Sequence, residues 1–159
     1  MNRHSGKIVG RFRPPHHQQS ARHVSVSGDG RVYVAYQHQG PLYETPPLLA
    51  RLEEGTLREY RFDEDTRTAL ANYISSVVAH PENDLVAAAS PIGGTAIIFR
   101  GKTGELVSRA HIADCAGIQT LAGGDFLVSS GRGKLIRLGA GKPARELADL
   151  SVHWDHHLV

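Results

Sequence analysis

The chain has a single cysteine, Cys115, in 159 residues. That excludes an internal disulfide and any metal site built from cysteines alone. Nothing around Cys115 resembles a cysteine-hydrolase signature, so the thiol reads first as a small buried hydrophobe and second as a nucleophile with His23 or His157 as its base. An excess of charge is also missing: 18 basic and 16 acidic side chains leave a net +2. The bases are scattered apart from Arg11/Arg13 and Arg132/Lys134, which argues against a nucleic-acid partner. No apolar run is long enough to span a bilayer. The first six residues carry positive charge with no apolar stretch behind them, so they do not form a signal peptide. As written, the chain is expected to be soluble and untargeted, hence cytoplasmic if expressed in this form.

What is present is a repeat. A first copy runs from Arg22-His23-Val24-Ser25-Val26 through Gly28-Asp29-Gly30 into Val32-Tyr33-Val34-Ala35-Tyr36. A second starts at Tyr73-Ile74-Ser75-Ser76-Val77-Val78, turns at 81–84, and continues over 85–89, 95–99 and Leu106-Val107. A third starts at Gly117-Ile118-Gln119-Thr120-Leu121 and continues over 126–129, 135–138 and Glu146-Leu147. About 40 residues holding four short strands separated by Gly, Pro and Asp turns is the period of a propeller blade. The fold expected is therefore all-β: a partial β-propeller of about three four-stranded antiparallel blades plus flanking strands.

The whole of 1–159 reads as one partial propeller domain, with blades near 20–62, 72–112 and 115–150. Residues 1–13 read as the end of a preceding blade, with a strand over 7–12 behind a turn at Ser5-Gly6-Lys7. Residues 152–159 read as the first strand of a further or closing blade. Pro14-Pro15 cannot donate ladder hydrogen bonds and opens a polar connection. Between 63 and 72, Asp65 or Thr66 as a cap and Ala69-Leu70-Ala71 as helix formers allow one short helical turn.

In a propeller the innermost strand of each blade lines the central channel. The residues opening the first strands are Arg22-His23, Asn72-Tyr73, Asp114-Cys115 and Trp154-Asp155-His156-His157. The candidate channel and ligand-binding set is thus Arg22, His23, Tyr73, Cys115, Trp154, Asp155, His156 and His157, and no catalytic residue is assigned. Within it, His23, Asp155 and His157 are the candidate ligands of a transition metal. The competing reading has His23 and His157 hydrogen-bonding neighbouring strands and Trp154 in the core. Pro15-His16-His17 suits a solvated loop better than a metal site, because neighbours on a strand point to opposite faces. Ser90-Pro91-Ile92-Gly93-Gly94 and Ser129-Ser130-Gly131-Arg132-Gly133 lie at equivalent points between second and third strands. They read as hairpin turns needing positive φ rather than as phosphate cradles.

From about residue 6 to 159 the sequence resembles the C-terminal half of the domain of unknown function 1513 family. The resemblance rests on Ser20-Ala21-Arg22-His23, Gln37-His38-Gln39-Gly40, Pro46-Pro47-Leu48, Tyr73-Ile74-Ser75-Ser76-Val77, Ser90-Pro91-Ile92-Gly93-Gly94, Cys115-Ala116-Gly117-Ile118, Ser129-Ser130-Gly131 and Trp154-Asp155-His156-His157. It implies a seven-bladed, WD40-like or lactonase-like bacterial propeller exported by the twin-arginine route, hence periplasmic, and encoded near iron-uptake and haem-protein genes. Ile92 stands where the family tends to have a basic residue, and His156 where it usually has Asn.

Three functional readings follow. The first is a non-enzymatic binding or scaffold propeller, periplasmic by resemblance and linked to iron or haem-protein systems, whose ring is completed by a protein partner or a second copy. The second is a metal-assisted hydrolase of lactonase type, against which stands a poverty of carboxylates near the channel mouth, Asp114 and Asp155 alone. The third is a truncated gene fragment without independent activity.

Overall fold

A computed structural model describes residues 2–153. Twelve strands form three four-stranded antiparallel sheets in sequence order. The first holds β1 (Gln19–Val26), β2 (Val32–His38), β3 (Leu49–Glu53) and β4 (Thr56–Glu59). The second holds β5 (Ser76–Ala79), β6 (Leu85–Ser90), β7 (Thr95–Arg100) and β8 (Leu106–His111). The third holds β9 (Cys115–Thr120), β10 (Phe126–Ser130), β11 (Lys134–Leu138) and β12 (Arg145–Asp149). Among the described residues the only helical elements are α1 (Glu64–Ala69) and a 3-10 turn at Ala122–Gly124.

Turn chemistry fixes these meanders. Between β1 and β2 the Ser27 hydroxyl donates to Asp29 Oδ1 at 2.6 Å and accepts the Arg31 N–H at 3.1 Å, while Gly30 takes φ +84°. Gly94 and Gly133 close the next two blades' turns between second and third strands at φ +55° and +91°, the positive values expected there.

The sheets stack face to face, and the burial patterns show it. In β6 every side chain is buried, and β7 is buried up to Arg100, because the middle sheet has a neighbour on each face. Toward sheet one it presents Val77, Val86, Ile97 and Phe99, which pack with Tyr33, Ala35, Leu49, Tyr60 and Phe62. Phe99 sits 4.8 Å from the Tyr60 ring and 5.4 Å, edge-on, from Phe62. Toward sheet three it presents Ala87, Ala89 and Ile98 to Ile118, Phe126, Val128 and Ile136.

Three local expectations are corrected. The helical turn does form, but its cap is Asp63, whose Oδ1 accepts the Thr66 N–H at 2.7 Å; Asp65 falls in the first turn and Thr66 is turned into the core. The strand expected over 7–12 is absent. Its turn exists, with Asn2 N–H donating to Lys7 O at 2.8 Å, but residues 7–12 have no strand beside them to pair with and leave Ile8, Val9 and Phe12 exposed. The second blade's first strand begins at Ser76 rather than Tyr73, since residues 72–74 pair instead with the end of β2: His38 N–H donates to Asn72 O at 2.8 Å and Ile74 N–H to Tyr36 O at 3.1 Å.

The blades also meet at their hairpin ends, where Gly28 lies so close to the Pro81 carbonyl that a Cβ on it would collide with backbone. Gly28→Ala should therefore force the two turns apart and cost about 1–3 kcal/mol, measured by urea unfolding, whereas Gly55→Ala, with open space around it, should show only the strain of its φ of +77°.

Candidate functional site

The innermost strands β1, β5 and β9 lie side by side and run parallel, and side-chain hydrogen bonds set their stagger. His23 Nδ1 accepts the Val77 N–H at 2.9 Å and Ser25 Oγ accepts the Ala79 N–H at 2.9 Å, two bonds with the same offset of 54 residues. From blade two to blade three, Ser75 Oγ donates to Ala116 O at 2.9 Å and the His80 ring lies 3.1 Å from Leu121 O, both at an offset of 41. A constant offset is possible only between strands of the same direction, so equivalent turns of the three blades share an end. These bonds also satisfy backbone groups on the edges of blades two and three.

The residues expected to converge on the axis have distinct fates. Arg22 is the extra residue of a β-bulge between Ala21 and His23 and is exposed. His23 makes the inter-blade bond just described. Tyr73 is half-buried, its backbone bridged to Gln37. Cys115 is fully buried between blades two and three, its thiol 3.4 Å from the Ser90 carbonyl; burial pushes its pKa up to about 12, which keeps it an unreactive thiol. Trp154, Asp155, His156 and His157 lie outside the described residues, and with them two of the three candidate metal ligands. Among the described residues no group of three or more His, Cys, Asp or Glu side chains is arranged to hold a metal ion. His16 instead pairs with Glu59 at 3.0 Å.

A model of the family described as Protein of unknown function (DUF1513) matches residues 1–159. The chain belongs to that family. No curated protein matches it in sequence. Its fold is that of a partial β-propeller, shared with propeller proteins of low sequence identity. The catalytically inactive H270A virginiamycin B lyase from Staphylococcus aureus, solved with quinupristin, superposes with a TM-score of 0.61 at 12% identity, over 85% of this chain and 43% of the lyase. The computationally designed Ika4 protein superposes at 0.60 and 12% identity, over 93% of this chain and 81% of Ika4. YCF48 bound to D1 peptide superposes at 0.56 and 10% identity, over 82% of this chain and 40% of YCF48. The DUF1513 chain thus spans less than half the length of the lyase and of YCF48. No helix among its described residues is long and apolar enough to cross a membrane.

Several polar residues of this family member that sequence reasoning passed over hold its strand ends. Ser90 Oγ donates to Leu70 O at 2.7 Å and accepts the Gly93 N–H at 3.1 Å. Ser130 Oγ does the same in blade three, donating to Ala113 O at 2.7 Å and accepting the Arg132 N–H at 3.2 Å. The signal was present, since both serines stand just before the repeated glycine turns. In blade one the equivalent position is His38, almost wholly buried, with Nε2 3.1 Å from Glu44 Oε2. Asn72 Nδ2 donates to the Glu44 carbonyl at 2.8 Å.

Because the channel-side histidine and serine act on backbone, their loss should be read in stability. His23→Ala and Ser25→Ala should each cost about 1–2 kcal/mol in chemical denaturation by leaving a strand-edge N–H of blade two without its acceptor. Hydrogen exchange at Val77 and Ala79 should rise selectively; unchanged protection there would show that the bonds do not hold the blades in register.

Proposed function

We propose that this DUF1513 member is an arc of a β-propeller that becomes a closed ring with a second copy of itself or with another chain, and that it works as a non-enzymatic binding or scaffold protein. The observation that carries this reading is the outer face of blade one. Val24 and Val26 are 53% and 58% exposed on the face of β1 turned away from blade two, in register with Val34 and Val32. The corresponding strand of the middle blade, which has neighbours on both sides, keeps Val77 fully buried. A row of valines with a bare face on a sheet is an interface in waiting, because each half-exposed valine forgoes about half of the roughly 1.5–3 kcal/mol that full burial of such a side chain is worth.

The binding role draws support from how the polar residues near the axis are used: His23, Ser25 and Ser75 bond to neighbouring strands, and Cys115 is buried. The finer setting, a periplasmic protein tied to iron or haem-protein systems, rests on the family resemblance. The propeller neighbours lend a fold and not a chemistry, since at 10–12% identity a lyase and a peptide-bound protein share only architecture.

Sedimentation velocity and light scattering over a wide concentration range test the ring. The expected result is reversible assembly, weakened at least tenfold by Val24→Ser/Val26→Ser. A well-behaved monomer at high concentration, unchanged by the double substitution, overturns closure by a second copy. Stoichiometric transition metal in the purified protein together with lactone hydrolysis would overturn the non-enzymatic part in favour of a lactonase-type hydrolase.

A further inference from the structure

Between the turn that leads into β10 and the turn joining β11 to β12 lies an open cavity of about 620 Å³. Its charged lining is three bases and one acid: Arg137, Lys142 and Arg145 against Asp125. Asp125 is buried and shared between two of the bases. Nε and a terminal guanidinium nitrogen of Arg137 both lie 2.5 Å from its Oδ2, and Lys142 Nζ lies 3.4 Å from its Oδ1. Arg145 is exposed and takes part in no side-chain hydrogen bond or ion pair among the described residues. It stands directly across the ladder from Arg137, on the same face of the sheet. The other acids of β12 are turned to Lys134, with Glu146 Oε2 at 2.7 Å and Asp149 Oδ2 at 3.6 Å from its Nζ. Three positive charges against one negative leave the cavity a surplus of two, with a like-charged pair held side by side.

We propose that this cavity binds the dianionic phosphate group of a small molecule, with Arg145 and Lys142 as its direct partners and Arg137 tying the site to the buried carboxylate. The site is complete within one chain and does not rest on the ring-closure reading. Three physical points support it. Like charges opposed across a ladder destabilise the sheet that carries them, and an anion bound between them replaces that repulsion with attraction. A phosphate monoester carries close to two negative charges at neutral pH, which matches the surplus, and offers its oxygens to the planar fork of an arginine. The turn is also held ready for a ligand. The Ser108 hydroxyl of blade two donates to Gly139 O at 3.1 Å and accepts the Gly141 N–H at 2.8 Å. Gly139, where a Cβ would come 2.8 Å from Asp125 Oδ1, lets the backbone close on the carboxylate that seats Lys142.

Calorimetric titration of the intact chain, in a buffer free of phosphate and sulfate, tests the assignment. The probes are inorganic phosphate, phenyl phosphate as the ester, and acetate as a single-charge comparison. Both phosphates should bind at least roughly tenfold more tightly than acetate. Arg145→Gln and Lys142→Gln should each weaken phosphate binding by roughly tenfold. Arg145→Gln should also unfold at an equal or higher urea concentration than the parent when no ligand is present, because the repulsion opposite Arg137 is gone, and should lose the stabilisation that phosphate gives the parent. Arg58→Gln, a change at an exposed arginine of β4, should bind as the parent does, and circular dichroism should show all variants folded. The proposal is overturned if phosphate binds no more tightly than acetate, or if both site variants bind it as the parent does. It is equally overturned if vesicles carrying phosphatidic acid bind the chain while free phosphate and phenyl phosphate do not. A chain that stays monomeric at every concentration would end closure by a second copy without altering these titrations, so the two failures are distinguishable.

Discussion

Everything in this molecule depends on sheet faces being covered by other sheets. A four-stranded blade is too small to hold itself together by its ladder alone, and its stability comes from the side chains it buries on each face. The middle blade meets this requirement fully: Val77, Val86, Ile97 and Phe99 go one way and Ala87, Ala89 and Ile98 the other, all essentially without exposure. Alanines dominate the second face and an aromatic cluster the first, so the two interfaces differ in thickness and chemistry within one repeat. The blades are therefore not interchangeable, and the order one, two, three is written into which side chains face which neighbour.

Face-to-face stacking leaves the innermost strands with an edge toward the axis, and the polar residues there respond to that constraint. A strand edge offers N–H and C=O groups that need partners. His23 and Ser25 supply acceptors to blade two, and Ser75 supplies a donor to blade three. The same bonds fix the parallel stagger that places equivalent turns at one end. His23, Ser25 and Ser75 thus serve the seams between blades.

The architecture was legible because it repeats. Glycine turns at fixed offsets, alternation in β1 and unbroken apolar runs in β6 and β7 each follow from whether one or both faces are covered. The candidate site was far less legible. An axial site draws about one residue from each blade, some 40 positions apart, so no local motif announces it. Cys115 shows the difficulty: alignment of repeats places it at the start of an innermost strand, yet nothing in its neighbours says that the Ser90 carbonyl and blade two will close over the thiol. The prolines mark a loop between β2 and β3, but the bonds that pin it were hidden for the same reason, since His38, Glu44 and Asn72 are joined only by the fold. Tyr73 was placed on a strand by its apolar neighbours, but its backbone is captured by the end of β2 before β5 begins.

Two carboxylates show how one position of the repeat is put to different uses. Asp84 and Asp125 each immediately precede the second strand of a blade. Asp84 accepts the Lys102 N–H of its own blade at 3.1 Å and also reaches Arg31 of blade one at 3.3 Å, tying two blades together. Asp125 is buried, and burial alone would raise its pKa, but Arg137 and Lys142 of its own blade outweigh that and hold it below the usual carboxylate range. A carboxylate whose folded pKa lies below its unfolded value adds stability above about pH 4 and gives it up as pH falls through the folded pKa. The contribution at Asp125 is moderated because Arg137 is about half exposed and screened by water. Blade three therefore closes its hairpin with its own charges, while blade two does so partly with a neighbour's. Acid should accordingly loosen the Asp125 turn within blade three.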